Sequence, residues 1–166
     1  MTPRSVRPRV LLLTPDFPPA TGGIQVLLHR FAALASRVSV RVVTRAHPTG
    51  TSWDAHSGLD VRRSPLVPGS RRAGLVALNA VAARQARAFG PDAILCGHIV
   101  AAPAALLAGR LLRVPVVSYL YADEGAAQPR LARLAFNSSR TTIVLGRYGR
   151  DLALRLGAPS ERVNVI

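Results

Sequence analysis

The apolar positions of the chain change period repeatedly, from short continuous runs to helical spacing and back. "PRVLLLT" is an apolar run bounded by proline, the pattern of a buried strand. "GIQVLLHRFAALAS" then sets Ile24, Leu27, Leu28, Phe31, Leu34 and Ala35 at helical spacing, giving one apolar face. "VSVRVVT" is rich in β-branched residues and predicts a second strand, and "GLDVRRS" predicts a weaker third. Between those two, "RAHPTGTSWDAHS" is polar and turn-rich and is expected to be a loop. "PLVPGSRRAG" predicts another loop, with Arg71 and Arg72 facing solvent. Helical spacing returns from Ala73 to Phe89 and stops at Gly90-Pro91.

The alternation continues to the last residue. "PDAILCG" predicts a strand, and "AAPAALLAGRLL" a helix that tolerates Pro103 in its first turn. "VPVVSYLY" is a strand, "PRLARLAFN" a short helix, "RTTIVLG" a strand and "RYGRDLALRLG" a helix closed by Gly157. "ERVNVI" starts one more strand. Strands and helices in this order predict an α/β fold: a Rossmann-like parallel sheet with helices on both faces, in one domain spanning 1–166. Strands without polar alternation, such as "VPVVSYL", fit a sheet covered on both sides. Ligands of such sheets bind beyond the carboxyl ends of the strands. Attention therefore falls on 15–23, 45–57, 64–72, 97–100, 120–128 and 146–147.

Composition narrows the partners. The chain has 166 residues and is 49% hydrophobic, enough for one domain with a real core. Its formal net charge is +14, and all 22 of its basic residues are arginine. That surplus favours anionic partners: phosphates, nucleotide sugars or acidic lipid surfaces. Aromatic residues are 5% and none interleaves a basic stretch, so no specific nucleic-acid partner is expected. Cys96, the single cysteine, excludes an internal disulfide and reads as a small core residue of a strand. No Cys/His cluster has metal spacing, so neither a metal nor another cofactor is expected. The apolar stretch Val10–Leu13 is too short for a signal-peptide core. The expectation is a cytoplasmic protein.

"TPDFPPATGGIQ", from Thr14 to Gln25, joins the first strand to the first helix and is built beyond the needs of a connector. It lacks G-x-G-x-x-G and G-x-x-x-x-G-K-[ST], so the dinucleotide and P-loop readings fail on pattern. A glycine pair before a helix remains. Gly22 and Gly23 have no Cβ, so a ligand can lie against the backbone, and the helix start offers N–H groups and a partial positive charge. Spacing alone leaves two readings: a phosphate-binding loop, or a flexible helix lead-in.

"PDFPPATGGIQVLLHRFAALA" resembles the first loop and helix of family 4 glycosyltransferases, retaining enzymes with a GT-B fold. "PDAILCGH" is similar to that family's fourth strand, which ends in a histidine; "VPVVSYLYADE" is similar to the next strand and its acidic loop. "TTIVLGRYGRDLALRLGAPSERVNVI" resembles the end of the N-terminal domain before the interdomain linker. The resemblance implies an acceptor-side half of a two-domain enzyme, facing a donor-binding domain across a cleft. That second domain is expected to be absent from this chain, so the chain alone is expected to be inactive. The implied partners are a nucleotide-sugar donor, an acceptor that is a sugar, lipid or small molecule, and a donor-binding domain or subunit. Gly22 and Gly23 would present N–H groups to a phosphate, and Asp16 would accept from an acceptor hydroxyl.

His98 follows the fourth strand and reads either as a cleft histidine or as a strand-end residue satisfied by backbone. "YLYADE" departs from the family, in which many members have histidine then glycine before the acidic residue. Tyr121 and Ala122 stand there instead. The resemblance implies that the family histidine helps position the transferred sugar near its leaving phosphate. Tyr121 can donate one hydrogen bond but carries no positive charge near neutral pH. Asp123 and Glu124 could bind acceptor hydroxyls or act on an acceptor proton, or form a solvated acidic loop. The alternative to an enzyme half is a non-catalytic helper or binding subunit that kept the fold. His29 is expected at the surface, while His47 and His56 share a loop with Trp53 and Asp54 that could line an acceptor pocket. Arg130 and Arg133 beside Leu131 and Leu134 raise peripheral contact with the inner membrane face, against the plainer reading of a solvated helix face.

Overall fold

The computed structural model describes residues 7–166, with the side chains of Arg71, Ala122 and Asp123 outside the described set. Its elements are β1 (Arg9–Leu13), α1 (Gly23–Leu34), β2 (Ser39–Thr44), α2 (Gly50–Ser57), β3 (Asp60–Arg63), α3 (Arg71–Phe89), β4 (Ala93–Cys96), α4 (Ala102–Leu112), β5 (Val116–Leu120), α5 (Ala122–Ala127), α6 (Pro129–Ser138), β6 (Thr141–Val144), α7 (Gly146–Arg155) and β7 (Val163–Val165). All strand pairings are parallel, and the strand order is β3-β2-β1-β4-β5-β6-β7. The Rossmann-like parallel sheet expected from the alternation is what forms.

The order reverses between β1 and β4. The chain steps outward through β2 and β3, then returns and steps the other way through β5 to β7. Loops leaving the carboxyl ends of β1 and β4 therefore part to opposite sides and open a crevice. Register fixes what borders it: Leu13 pairs with Val43 on one side and with Cys96 on the other.

Alternate strand residues feed two cores. Leu11, Leu13, Ile94 and Cys96 pack with Leu78 of α3, Ala105 of α4, Phe136 of α6 and Ala153 of α7. Leu12, Val42 and Leu95 face the other way, onto Leu28 and Ala32 of α1. Burial on both faces explains the unbroken apolar runs. Cys96 is buried, as a core residue should be.

Three boundaries differ from the sequence reading. Residues 50–57 form α2 where a loop is expected, because tertiary contacts supply what an apolar stripe does not. Residues 122–127 form the short α5 inside the expected acidic loop. α3 starts at Arg71, two residues before the expected Ala73, because Ser70 Oγ accepts from the Ala73 N–H at 3.2 Å and caps the first turn. Among the described residues no helix is long and apolar enough to cross a membrane.

Candidate functional site

The glycine loop leaves β1 at Thr14, whose N–H donates to Val43 O at 3.1 Å. The buried Thr14 hydroxyl donates to Asp16 O at 3.0 Å, which turns the chain sharply. Phe17 points inward and is 1% exposed. It meets Trp53 of α2 edge-on at 5.8 Å and His29 of α1 at 6.1 Å, and His29 meets Trp53 at 5.6 Å. His29, expected at the surface, is thus half-buried in an aromatic cluster. The Pro18-Pro19 peptide is cis. Gly22 has φ +152°, a conformation side chains rarely adopt, and forms the cap of α1. A Cβ at Gly23 would meet open space. Among the described residues no side chain caps α1 and no acidic residue sits in its first turn. Its leading N–H groups and partial positive charge are left to solvent or to an anion.

Two arginines hold this loop from neighbouring strands. Arg45, just past β2, donates through Nε to Pro15 O at 3.0 Å and through Nη2 to Asp16 Oδ1 at 2.5 Å. Arg63, the last residue of β3, binds both carboxylate oxygens of Asp54 at 2.8 Å. It also donates to Arg45 O at 3.2 Å and to Pro18 O at 2.5 Å. A cleft of about 310 Å³ lies beside Arg45, lined by Ser64, Leu66, Gly69, Ser70 and Gly74. A larger cavity, about 760 Å³, is lined by Val114–Val116 and Ser138–Thr141 at the amino ends of β5 and β6. It lies at the opposite edge of the sheet from the loops and takes no part in this site.

Across the crevice, β4 and β5 deliver a second group. His98 follows β4 and is mostly buried, with Nδ1 2.7 Å from Glu124 Oε2. Nδ1 also faces the Val100 N–H at 3.3 Å. A bare Nδ1 suits the amide and a protonated one suits the carboxylate, and Oε2 makes no well-directed hydrogen bond. Glu124 is turned back by its other oxygen, which accepts from the Tyr121 N–H at 3.2 Å. The Tyr119 and Tyr121 rings stack at 4.8 Å with 25° between planes. Both hydroxyls are buried without a partner among the described residues. Burial pushes the Tyr121 phenol far above its ordinary range, helped by Tyr119 and by the Glu124 carboxylate. It stays protonated, and its O–H remains an unspent donor.

His98, Tyr121 and Glu124 therefore sit together, and Asp16, Gly22 and Gly23 sit on the neighbouring strand end. The side chain of Asp123 lies outside the described residues. His47 binds Thr49, and His56 lies 2.7 Å from Ser52 O; both are local contacts around α2. Among the described residues no group of three His, Cys, Asp or Glu side chains could hold a metal ion. Arg45 and Arg63 escape sequence reading, because nothing in their spacing marks them off from the chain's other arginines.

Residues 21–166 match a family model described as a glycosyl transferase 4-like domain. No curated protein matches the chain significantly. Among solved structures, it resembles Anabaena Alr3699/HepE in complex with UDP and glucose, with a TM-score of 0.73 at 19% identity over 95% of this chain and 43% of that one. UDP-GlcNAc 2-epimerase from Neisseria meningitidis bound to UDP-GlcNAc follows at 0.63 and 17%, over 95% of this chain and 46% of that one. The lipopolysaccharide outer core galactosyltransferase WaaB in its apo form gives 0.67 and 10%, over 95% and 44%. The chain spans less than half the length of each. At these identities the likeness shows the fold, a Rossmann-like half of GT-B architecture. The family match over 21–166 shows more: the chain belongs to the glycosyl transferase 4-like family.

Proposed function

We propose that the chain is the acceptor-side half of a retaining glycosyltransferase that works with a donor-binding domain. The observation that carries this is the pairing of two half-sites at the switch point. The Gly22-Gly23 start of α1 lies past β1, and the His98–Glu124 contact lies past β4 and β5. The first offers backbone N–H groups to a donor phosphate. The second offers an imidazole, a carboxylate and the Tyr121 O–H to sugar and acceptor hydroxyls. The ligands bound to the neighbouring structures, UDP, glucose and UDP-GlcNAc, support a uridine-diphosphate sugar as the first donor class to try. In the front-face reaction implied by the family, the sugar's bond to the leaving phosphate breaks as the bond to the acceptor oxygen forms. The acceptor proton goes to the phosphate. No protein nucleophile is needed, and no metal is invoked.

The test is transfer from UDP-glucose and UDP-GlcNAc to a panel of sugar and lipid acceptors. It uses the chain alone and the chain mixed with, or fused to, a donor-binding domain. Transfer only in the second arrangement is expected, and His98→Ala should lower it about 100-fold, the scale of losing one polar group at a reacting centre. Equal turnover by the chain alone would overturn its dependence on a second domain.

A second reading, a helper subunit that kept the fold, is favoured by one residue. Tyr121, held neutral by burial, cannot supply the charge of the family histidine. Recovery of a full-length transferase whose activity rises with this chain, and no transfer from any fusion, would select it. On either reading we place the protein in the cytoplasm, with α6 toward the inner membrane face. Arg130 and Leu134 are exposed one turn apart there, while Leu131 packs on the core.

A further inference from the structure

We propose that Arg63 is the positioning residue of the glycine loop, and that residue 50 is glycine in order to admit it. The Arg63 side chain is 11% exposed and donates to four acceptors on three segments. It grips Asp54 of α2 by both oxygens, Arg45 O past β2, and Pro18 O within the loop past β1. The contact to Pro18 spans 45 residues of sequence and is the one that reaches the loop's proline turn. A lysine has one nitrogen and cannot make this fork.

Gly50 shows that the fit is built. A Cβ there would lie 2.6 Å from Arg63 Nε and 2.9 Å from its Cδ. Gly50 is the first residue of α2, and its φ is not among the positive ones, so the backbone itself does not call for glycine. The helix would gain from alanine by propensity. What requires the hydrogen is the guanidinium stem lying against it. Arg45 continues the clasp, from its carbonyl under Arg63 to Pro15 O and Asp16 beyond. The two arginines thus hold residues 15, 16 and 18 from outside, and the loop's short remainder carries that placement to Gly22 and Gly23. This inference rests on the reading of that loop as a ligand-binding wall, where small displacements of a positioning group cost rate steeply.

The experiment is amide hydrogen exchange of the full chain, comparing the parent protein with Arg63→Ala, Arg63→Lys and Gly50→Ala. The amides of Thr14, Ala20 and Arg45, which donate to Val43 O, Phe17 O and Pro15 O at the loop, are read against those of α4, which packs in the other core. Arg63→Ala and Gly50→Ala should each speed loop exchange at least tenfold more than they speed exchange in α4, and Arg63→Lys at least threefold more. Loop exchange within twofold of the parent in both Arg63→Ala and Gly50→Ala would overturn the proposal. So would an equal rise in α4, which would make Arg63 a general stabiliser. Should Arg63→Ala fail to fold, Gly50→Ala keeps every charge and decides alone. Exchange is read without ligand, so a parent chain that transfers no sugar with any donor domain would overturn the transferase reading and leave this result standing.

Discussion

The two sides of the crevice are built on opposite rules. On the β1–β3 side, charges are spent on one another: Asp16 with Arg45, Asp54 with Arg63, and Asp60 with both Arg41 and Arg62. On the β4–β5 side polarity is left over. Two buried hydroxyls without a hydrogen-bond partner among the described residues, Tyr119 Oη and Tyr121 Oη, are there, and Glu124 Oε2 meets only the His98 ring nitrogen, at 2.7 Å. Each unpaired buried group costs stability, on the order of 1–3 kcal/mol. A fold keeps such groups where a ligand or water completes them. The difference separates placing from reacting: one side is braced to hold a backbone still, the other holds unspent donors and acceptors.

The largest way to break this contrast is Asp54→Ala. It would strand the Arg63 guanidinium, 11% exposed, without its carboxylate. A loss of about 2–3 kcal/mol is expected in denaturant unfolding, below the scale for a fully buried ion pair broken from one end because this pair is part-buried. A loss below about 1 kcal/mol would mean the clasp is surface decoration.

Cys96 tests the boundary strand between the two sides. Burial, first of all, pushes its thiol from 9.0 to about 12. The folded state therefore holds that proton more tightly than the unfolded chain. The contribution is complete below pH 9.0 and is lost as pH rises toward 12. At about pH 10 the loss from this group is roughly 1.4 kcal/mol, one decade of titration in the unfolded state. Cys96→Ala should flatten the fall in stability between about pH 8 and pH 10 by that amount. An unchanged slope would show that water reaches the thiol.

Tyr121→Phe should act in the opposite sense. It deletes a buried hydroxyl that has no partner, so thermal or denaturant unfolding should show a gain of up to about 1 kcal/mol. Any transfer activity should fall at the same time. A loss of stability would reveal a protein partner for the hydroxyl. The smallest effect belongs to Asp16→Asn. Its pair with Arg45 is partly exposed, at 35% and 27% of the two side chains, and a change under about 1 kcal/mol is expected. Set beside Asp54→Ala, it sharpens the contrast within one side, since burial separates the two ion pairs.

Most of the sheet was legible because both of its faces are buried. Runs such as Leu11–Leu13 and Val116–Leu120 carry their strand signal in composition alone. The helices over the sheet were legible from one apolar face each. α2 was not, because Gly50–Ser57 owes its helix to Trp53 against Phe17 and to Asp54 against Arg63, contacts that close only in three dimensions. α5 was hidden for a similar reason, since Glu124 reads as one acid in a polar loop until it turns back to the Tyr121 N–H. The glycine loop and His98 were visible from their places after strands. The Glu124 contact of His98 was not, as nothing in a sequence sets residues 98 and 124 at 2.7 Å.

Trp53 is the protein's single tryptophan, and it rests on Phe17 at the root of the glycine loop. The braced side of the crevice therefore carries its own optical gauge. A colourless ligand that moves the loop changes the indole's surroundings and its emission. One that touches only His98, Tyr121 and Glu124 leaves that emission alone, so one unlabelled titration tells which wall of the crevice a compound has reached.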